Sequence, residues 1–492
     1  MKSMPAFACW GLLLAGLSGC SLAPTYNVPP AAPSPAFKET LSAAEAGTWQ
    51  PAVPAEEAAR GEWWKVFNDS QLDDLEGQAL AANQNLAAAA ARVQEARAIE
   101  GVTGAARFPS LSAGFGPSRQ QNAPGSLGVP ANSPRPDAQT VWRAQANISY
   151  EVDLFGRVAS SVHAAHADTQ QSEALFRSVQ LALQADVAQN YFNLRELDAE
   201  LAVYHRAVEL RTEALTFVQH RADAGEVSDL ELAQAKAELA SATSDAMTVE
   251  RQRAASEHAL AVLLGKAPSE FSVAPRPLEP VVIHIPPGMP SSLLERRPDI
   301  AAAERAMAAE NARIGIARAA YFPSIVLTGT GGYESSAFSD LFKWSSRSFL
   351  LGPLVGTAAT LPIFDGGVRK GNLANARARY EENVAKYRQQ VLVAFQEVED
   401  NLANLRILEN QTRVQGDEVA ASARAAELSK TQYEDGSVAY LNVIDTERVV
   451  LNARLTAVRL RGTQATSTVN LIRALGGGWG DAPTANPSPA TD

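Results

Sequence analysis

The residues best suited to do chemistry in this sequence form a short polar run between Leu441 and Arg448. Leu441, Asp445 and Arg448 are separated by four and three positions, so a helix places their side chains on one face. An exposed Asp–Arg pair of this kind contributes little free energy to folding. If copies of the face surrounded a common axis, the aspartates would instead form a ring that repels itself, favours cations and resists full ionisation. Both interpretations are open on the spacing alone.

Cys20 is a second residue whose context predicts chemistry. Residues 1–19 have the features of a signal peptide, in which Lys2 precedes an apolar segment too short to span a bilayer. Leu17-Ser18-Gly19-Cys20 then matches a bacterial lipobox, so Cys20 becomes the lipid-bearing N-terminus. The serine that follows resembles that of lipoproteins sorted to the outer membrane. Because Cys9 leaves with the signal peptide, we expect no disulfide, and no cofactor besides the covalent lipid.

Other groups that could bind or catalyse lack the partners that such chemistry needs. His163 and His166 lie one helical turn apart, but no other ligand cluster completes a metal site. Gly476-Gly477-Gly478 has no following Lys-Ser/Thr and is typical of a helix end. Arg296-Arg297-Pro298-Asp299 suits the start of a helix. We therefore expect no enzyme and no metal, and the net charge of -11 disfavours a nucleic-acid partner.

The elements that would position these residues occur twice along the chain. Recurring pairs include Phe108-Pro109-Ser110 with Phe322-Pro323-Ser324, Gly225 with Gly436, Leu230 with Leu441, and Leu264-Gly265 with Leu475-Gly476. The predicted organisation is a signal peptide (1–19), a lipidated extended arm (20–68), a first repeat (69–265), a Pro-rich linker (266–290), a second repeat (291–476) and a flexible tail (477–492). Each repeat is predicted to contain a helix, two strands, a long helix and a return helix.

The strands of each repeat have the alternating pattern of membrane strands. Between Trp142 and Leu154, apolar residues alternate with polar ones over the length that a tilted transmembrane strand needs. We predict strands at about 110–122, 141–154, 323–334 and 350–363. Four strands leave open edges that hydrocarbon does not tolerate, and known barrels begin at about eight strands. Several chains must therefore share one barrel, and three of them would supply twelve strands.

The helices that follow the strands are unusually long. Apolar residues recur at spacings of three, four and seven from Val179 to Tyr204 and again from Leu373 to Leu405, which indicates a coiled-coil-like seam. At 1.5 Å per residue, about 65 residues form a rod of roughly 100 Å. Below a shared barrel, such rods would form a second, helical tube with the turns at its far end.

Several motifs together resemble one family. They are Trp63-Trp64 to Leu72, Leu293-Leu294-Glu295-Arg296-Arg297-Pro298-Asp299-Ile300, and Ile314-Gly315 through Tyr321-Phe322-Pro323-Ser324. With the duplication and the lipobox, the chain resembles the outer-membrane efflux factors, in their lipoprotein branch. The resemblance implies an α+β membrane protein, a homotrimer whose twelve-stranded β-barrel continues into the periplasm as an α-helical barrel. It also implies a passive exit duct for small toxic compounds, with a periplasmic membrane-fusion adaptor, an inner-membrane transporter of the RND type and outer-membrane lipid as partners.

The resemblance also assigns a role to the polar run. In the family, the second return helix narrows the periplasmic end of the duct, and Leu441, Asp445 and Arg448 match its gate residues. Asn442 stands where some members carry a second aspartate, so a double acidic ring is not implied. Two alternatives are open: the channel of a type I protein-secretion system, and a periplasmic coiled-coil adaptor or structural lipoprotein. The alternating strands disfavour the adaptor.

Overall fold

The computed structural model describes residues 22–29, 62–121, 128, 130, 134–135, 137–279, 297–351 and 359–477. Cys20, the signal peptide, much of the predicted linker and most of the tail lie outside these ranges. The main helices are α1 (Ser70–Ala82), α2 (Gln84–Gly104), α3 (Arg157–Asp223), α4 (Asp229–Leu263), α5 (Pro298–Ala319), α6 (Val368–Glu434) and α7 (Tyr440–Ala474). The strands are β1 (Ser110–Gln120), β2 (Gln139–Val152), β3 (Ser324–Ser335), β4 (Arg347–Leu351) and β5 (Ala359–Thr360).

The order of these elements repeats along the chain. Helix, strands, a 67-residue helix and a 35-residue return helix occur first in α1 to α4 and then in α5 to α7. The fold is therefore mixed and mostly helical. None of the described helices is long and apolar enough to cross a membrane. The boundaries of the two repeats, as stated from the sequence, stay predictions.

The chain forms two compact units. One comprises the described residues within 1–29, 93–172 and 303–387, and the other those within 30–92, 173–302 and 388–492. The first unit contains an antiparallel sheet in the order β1-β2-β3-β4, with β5 also paired to β3. The two repeats meet at the β2–β3 pair, where Trp142 lies opposite Ser335 and Val152 opposite Ile325.

The ends of the strands differ from the predictions by a few residues. β2 ends at Val152, two residues early, because the Asp153 carboxylate accepts a hydrogen bond from the Ala159 amide at 2.7 Å and so starts α3. The strand predicted at about 350–363 begins earlier and is described as two pieces, β4 and β5. β5 ends at Thr360, and Pro362 has no N–H with which to extend the ladder. Residues 352–358 lie outside the description.

The two faces of the sheet differ in polarity, as the alternation predicts. Paired residues share a face. One face carries large apolar side chains that are exposed in the single chain, namely Leu111, Phe115, Ile148, Leu327 and Phe349. The opposite face carries mainly Ser, Thr, Asn and Gln side chains with a few charged ones, and Val326 and Leu350 also lie on it. An exposed apolar face opposite a polar one is the arrangement expected of a membrane strand whose outer side meets lipid.

The second unit has its apolar core between helices. Tyr191 and Leu194 of α3 pack in one cluster with Leu260 of α4 and with Leu471 and Ile472 of α7, each almost fully buried. Each Å² of apolar surface that such a seam removes from water contributes about 25 cal/mol to stability. This burial is the main stabilising contribution in a long helical hairpin. The seam therefore fixes each return helix against the long helix beside it.

Arg297 has a structural role at the start of α5. Its guanidinium binds the Asp299 carboxylate at 2.6 Å and the Glu397 carboxylate at 2.6 Å. It also donates to the Ala474 carbonyl oxygen at 3.2 Å. The Arg297 side chain is 7% exposed, so its charge is paired rather than offered to a ligand. This supports the helix-start interpretation of the Arg-Arg-Pro-Asp motif.

The N-terminal segment 22–29 lies along α5 within the first unit. Arg318 donates to the Leu22 carbonyl oxygen at 3.2 Å, and Asn311 donates to that of Pro24 at 2.8 Å. Further along, the Tyr26 hydroxyl donates to the buried Glu304 carboxylate. The segment thus runs antiparallel to α5. Its close approach depends on Gly315, because a Cβ there would meet Ala23 at 2.8 Å.

Candidate functional site

Two turns join the long helices to their return helices, and their backbones match. Gly225 (φ 75°) and Gly436 (φ 73°) adopt the left-handed conformation that glycine allows. After the first, the Glu226 amide donates to the Arg221 carbonyl oxygen at 2.9 Å. After the second, the Ser437 amide donates to that of Gln432 at 2.8 Å. Both turns are Schellman motifs, which explains why the glycine recurs in the two repeats.

A small apolar cluster holds the four helices together beside these turns. It contains Val218 of α3, Ala235 of α4, Tyr433 of α6 and Tyr440 with Ile444 of α7, all buried. The Tyr433 hydroxyl donates to Glu231 of α4 at 3.2 Å. Burial raises the pKa of Tyr440 to about 12, so this side chain stays neutral at physiological pH. The first turn of α7 is thereby positioned by its apolar face.

The three predicted gate residues lie on the other face of α7. Leu441 is 48% exposed, and the side chains of Asp445 and Arg448 are 63% and 55% exposed. They share one face, as their spacing predicts, and none of them joins the apolar cluster. In a single chain this face is open to solvent. Their role as a gate stays a prediction.

Arg448 has a closer carboxylate than Asp445. Its guanidinium binds Glu238 of α4 at 2.5 Å, whereas its distance to Asp445 is 4.0 Å. The hydrogen bond with Glu238 raises the pKa of Arg448 above its ordinary value. Glu238 also binds the buried Arg211 of α3 at 3.3 Å, and Arg211 donates to the Glu238 carbonyl oxygen at 3.0 Å. One buried carboxylate thus ties α3, α4 and α7 together.

Glu238 is absent from the sequence prediction, although a signal for it exists. It lies with Ala235, Ala242 and Val249 on the buried seam of α4, at spacings of three, four and seven. A carboxylate on a buried seam needs a cationic partner, because an unpaired buried charge is costly. The sequence offers several arginines, and only the structure identifies Arg211 and Arg448.

A cavity opens beside Arg211, the partner of Glu238. It measures about 280 Å³ and lies between α3, α6 and α7, where Leu210, Arg211, Lys430, Glu447 and Arg454 line it. Burial raises the pKa of Glu447, and Arg211 and Lys430 oppose that shift. Charged side chains of α3, α6 and α7 therefore meet at the wall of one cavity.

Two further features of the sequence analysis are the predicted lipid site at Cys20, which stays a prediction, and the histidine pair, for which no metal site was expected. Cys20 lies outside the described residues, and Leu22 is the nearest residue that is described. His166 is exposed, and its ring bonds the Glu100 carboxylate at 2.8 Å, which is compatible with a solvated face. His163 is also exposed.

Comparison with known proteins gives the family. A model of the outer membrane efflux protein family matches residues 75–266 and 289–477, which is most of the chain. The chain belongs to the outer membrane efflux protein family. It is 34% identical over 467 residues to the cation efflux system protein CusC of Escherichia coli, covering 94% of this chain and 96% of that protein. It is also 34% identical over 481 residues to the outer membrane protein OprJ of Pseudomonas aeruginosa, covering 96% of each.

Solved structures of efflux family members share the fold. The crystal structure of the CmeC outer membrane channel from Campylobacter jejuni superposes with a TM-score of 0.84 at 25% identity, covering 94% of this chain and 95% of that chain. The resemblance drawn from the sequence is therefore confirmed. This efflux family protein is the outer-membrane channel of an efflux pump, and the adaptor alternative is set aside. Of the two return helices, α7 carries the residues predicted to narrow that channel.

Proposed function

We propose that this efflux family protein is the passive exit duct of a tripartite pump, built as a homotrimer. The observation that carries the proposal is the sheet, whose described strands leave edges and expose one apolar face. Unpaired strand edges cannot persist in hydrocarbon because their N–H and C=O groups find no water there. Three chains, each giving four strands, would close a twelve-stranded barrel, and their long helices would continue it into the periplasm.

The proposed gate is the open face of α7. Threefold symmetry would bring three copies of Leu441, Asp445 and Arg448 around one axis. Leucine packing and Asp445–Arg448 pairing would close the duct, while the aspartates would favour cations. Each Arg448 also binds Glu238 of its own α4 at 2.5 Å. Outward movement of α7 would then break the contacts of Arg448 with both carboxylates, so the closed gate would have contacts that the open gate lacks.

Opening would be driven from outside the chain. A periplasmic membrane-fusion adaptor and an energised inner-membrane transporter, of the RND type, would displace the return helices when they dock. The lipid on Cys20 would anchor the N-terminal segment in the outer membrane. We propose that the chain itself carries no catalytic role and no cofactor besides that lipid.

The cargo is proposed to be small molecules or ions. Relatives are named for different cargoes, as a cation efflux protein, an antibiotic efflux pump protein and a toluene efflux pump protein. Such variety among proteins of one fold suits a duct that makes few specific contacts and receives cargo chosen by the transporter. The match to efflux proteins along the whole chain favours this function over type I protein secretion.

The test is conductance combined with stoichiometry. Purified, lipid-modified protein is crosslinked in detergent to count chains and is then inserted into a planar bilayer. A crosslinked trimer with small, cation-preferring openings is the expected result. A chain that stays monomeric and never conducts would overturn the shared barrel. A stable trimer whose conductance is the same with and without Asp445→Ala and Arg448→Ala would overturn the gate. The proposal of an exit duct would still stand.

A further inference from the structure

The polar face of the sheet carries its charges at the two ends. On this face, β2 carries Arg143 near its start and Glu151 near its end. Between them lie uncharged residues: Gln145 faces Ser348 of β4 at 3.3 Å, and Asn147 accepts from Thr330 of β3 at 2.8 Å. Among the described strand residues of this face, Glu334 of β3 is the third charged one, and it lies directly opposite Arg143.

Arg143 of β2 is fixed by partners on the two neighbouring strands, β1 and β3. Its guanidinium binds the two carboxylate oxygens of Glu334 at 3.1 and 3.3 Å. It also donates to the Ser118 hydroxyl at 2.5 Å and to the Gln120 side-chain oxygen at 3.0 Å, both on β1. A guanidinium held by a bidentate carboxylate and two further acceptors has little freedom to swing away. The pair is therefore a fixed element of the sheet surface.

The pair is also reachable from the side that the polar face lines. The Arg143 and Glu334 side chains are 32% and 35% exposed, so their charges are not buried within the sheet. Together they contribute no net charge. Removing the charge of Arg143 leaves the negative charge of Glu334 on this face. Removing the charge of Glu334 leaves the positive charge of Arg143 there.

The position of the pair along the strands defines its place in a duct. β1, β2 and β3 each lie next to a helix in the chain at one end, as in Val152 to Arg157 and Ala319 to Ser324. Arg143, Glu334 and Gln120 lie at the other end, next to the segments that join β1 to β2 and β3 to β4. If the helices extend into the periplasm, this end faces the exterior.

We infer that Arg143 and Glu334 are specificity-determining residues at the outer mouth of the duct, where their mutual neutralisation keeps the exit permissive to cargo of either charge sign. This inference rests on the proposed trimeric barrel, in which the apolar face meets lipid and the polar face lines the pore. Three Arg143–Glu334 pairs would then ring the mouth. A ring of uncompensated charges in a pore attracts ions of the opposite sign and repels those of the same sign.

The test is the reversal potential of the full-length trimer under a KCl gradient in planar bilayers. Arg143→Gln is expected to raise the cation-to-anion permeability ratio by at least about twofold, and Glu334→Gln to lower it by a similar factor. Dilute salt near 10 mM suits the measurement, because the Debye length is about 30 Å there and about 3 Å at 1 M. Both shifts are expected to shrink at 1 M.

Two further variants control for fold and position. Arg143→Glu combined with Glu334→Arg restores a neutral pair and is expected to return the ratio to the wild-type value. Arg119→Gln removes the same charge from β1 beside Gln120, but Arg119 pairs with Thr140 on the opposite face. It is expected to leave the ratio unchanged.

The outcomes separate this inference from the proposed function. Each variant is measured in the otherwise unmodified chain and again together with Asp445→Ala and Arg448→Ala. In the second background the gate is expected to be open. Trimers that conduct, but whose ratio does not move in opposite directions for Arg143→Gln and Glu334→Gln, would overturn the mouth assignment alone. An equal shift from Arg119→Gln would overturn it as well. Loss of trimer and conductance in the unmodified protein would overturn the duct itself.

Discussion

The two return helices, α4 and α7, have the same length and follow the same glycine turn, but they carry different side chains. With the repeats aligned on Gly225 and Gly436, Asp445 and Arg448 of α7 correspond to Gln234 and Ala237 of α4. Their N-termini differ too. Ser228 caps α4 by accepting from the Glu231 amide, whereas Ala439 before α7 makes no side-chain cap. The same turn is thus followed by a helix with a side-chain N-cap, α4, and by a helix without one, α7.

This difference distinguishes a supporting helix, α4, from the helix that carries the proposed gate, α7. α4 contributes the buried Glu238, which binds Arg211 and Arg448, and its first turn carries Asp229 and Glu231, whose charge suits a helix N-terminus. α7 has no acidic residue in its first turn and exposes its charged face. The duplication therefore shows that two hairpins of the same fold can carry different side chains, a buried carboxylate on one return helix and an exposed charged face on the other.

The largest expected effect comes from removing the charged pair of α7. Asp445→Ala with Arg448→Ala is expected to raise single-channel conductance severalfold, because the proposed Asp445–Arg448 pairing between chains and the bond from Arg448 to Glu238 of α4 would both be lost. The matched control is Gln234→Ala in α4, where the second position is already alanine. Single-channel recording in bilayers measures both. Equal effects from the two variants would remove the functional difference between the helices.

Glu238→Gln is expected to have the next largest effect. It leaves the buried Arg211 without its carboxylate, at a cost of about 1–3 kcal/mol in the free energy of unfolding. It also frees Arg448, so openings are expected to lengthen. Thermal unfolding in detergent and bilayer recording report the two consequences separately. A variant that unfolds at the wild-type temperature with unchanged openings would show that Glu238 does not join the helices.

The two return helices also differ near their far ends, where Gly462 of α7 corresponds to Arg251 of α4. Gly462 admits the Glu196 carboxyl group of α3. Burial, followed by repulsion from Glu200, raises the pKa of Glu196 to about 7, while Arg459 opposes the shift. A folded-state pKa above the unfolded value means that the folded state holds the proton more strongly, so stability falls as pH rises from about 4.5 to 7.

Glu196→Gln should remove that pH dependence. Because the side chain is partly exposed, we expect a gain of only about 1 kcal/mol at pH 8 and little change near pH 4. Thermal unfolding of the detergent-solubilised protein at several pH values measures this. Unchanged slopes of unfolding temperature against pH in the variant would contradict the assignment to Glu196.

The smallest expected effects come from exchanging the caps. Ser228→Ala is expected to destabilise the first turn of α4 by about 1 kcal/mol, and Ala439→Ser to stabilise that of α7 by a similar or smaller amount. Hydrogen exchange of residues 229–236 and 440–447 should change by up to about fivefold, in opposite directions. If neither peptide responds, local capping does not distinguish the two helices.

The sequence alone predicts much of this fold, because its periodicities are local. The alternation from Trp142 predicts β2 to within two residues, and Gly225 and Gly436 mark both helix ends. The early end of β2 depends on the Asp153 side chain reaching Ala159, which periodicity does not contain. The adjacency of β2 and β3 also depends on pairing across the two repeats.

The candidate site is only partly predictable, because helical spacing is local and the contacts of the site join residues far apart in the sequence. The shared face of Leu441, Asp445 and Arg448 follows from helical spacing. The partner of Arg448 does not, because Glu238 lies 210 positions away and several carboxylates are closer in sequence. The Arg143–Glu334 pair is likewise 191 positions apart and becomes visible only with the strand register.

The N-terminal segment on α5 has a consequence for the order of assembly. Tyr26 finds its partner Glu304 278 positions later in the chain, on a helix of the second repeat. During synthesis, therefore, this segment has no docking surface until α5, more than half of the chain later, has been made. Its attachment is therefore a late event that requires the second repeat, and a chain truncated before α5 would lack the partners of Leu22, Pro24 and Tyr26.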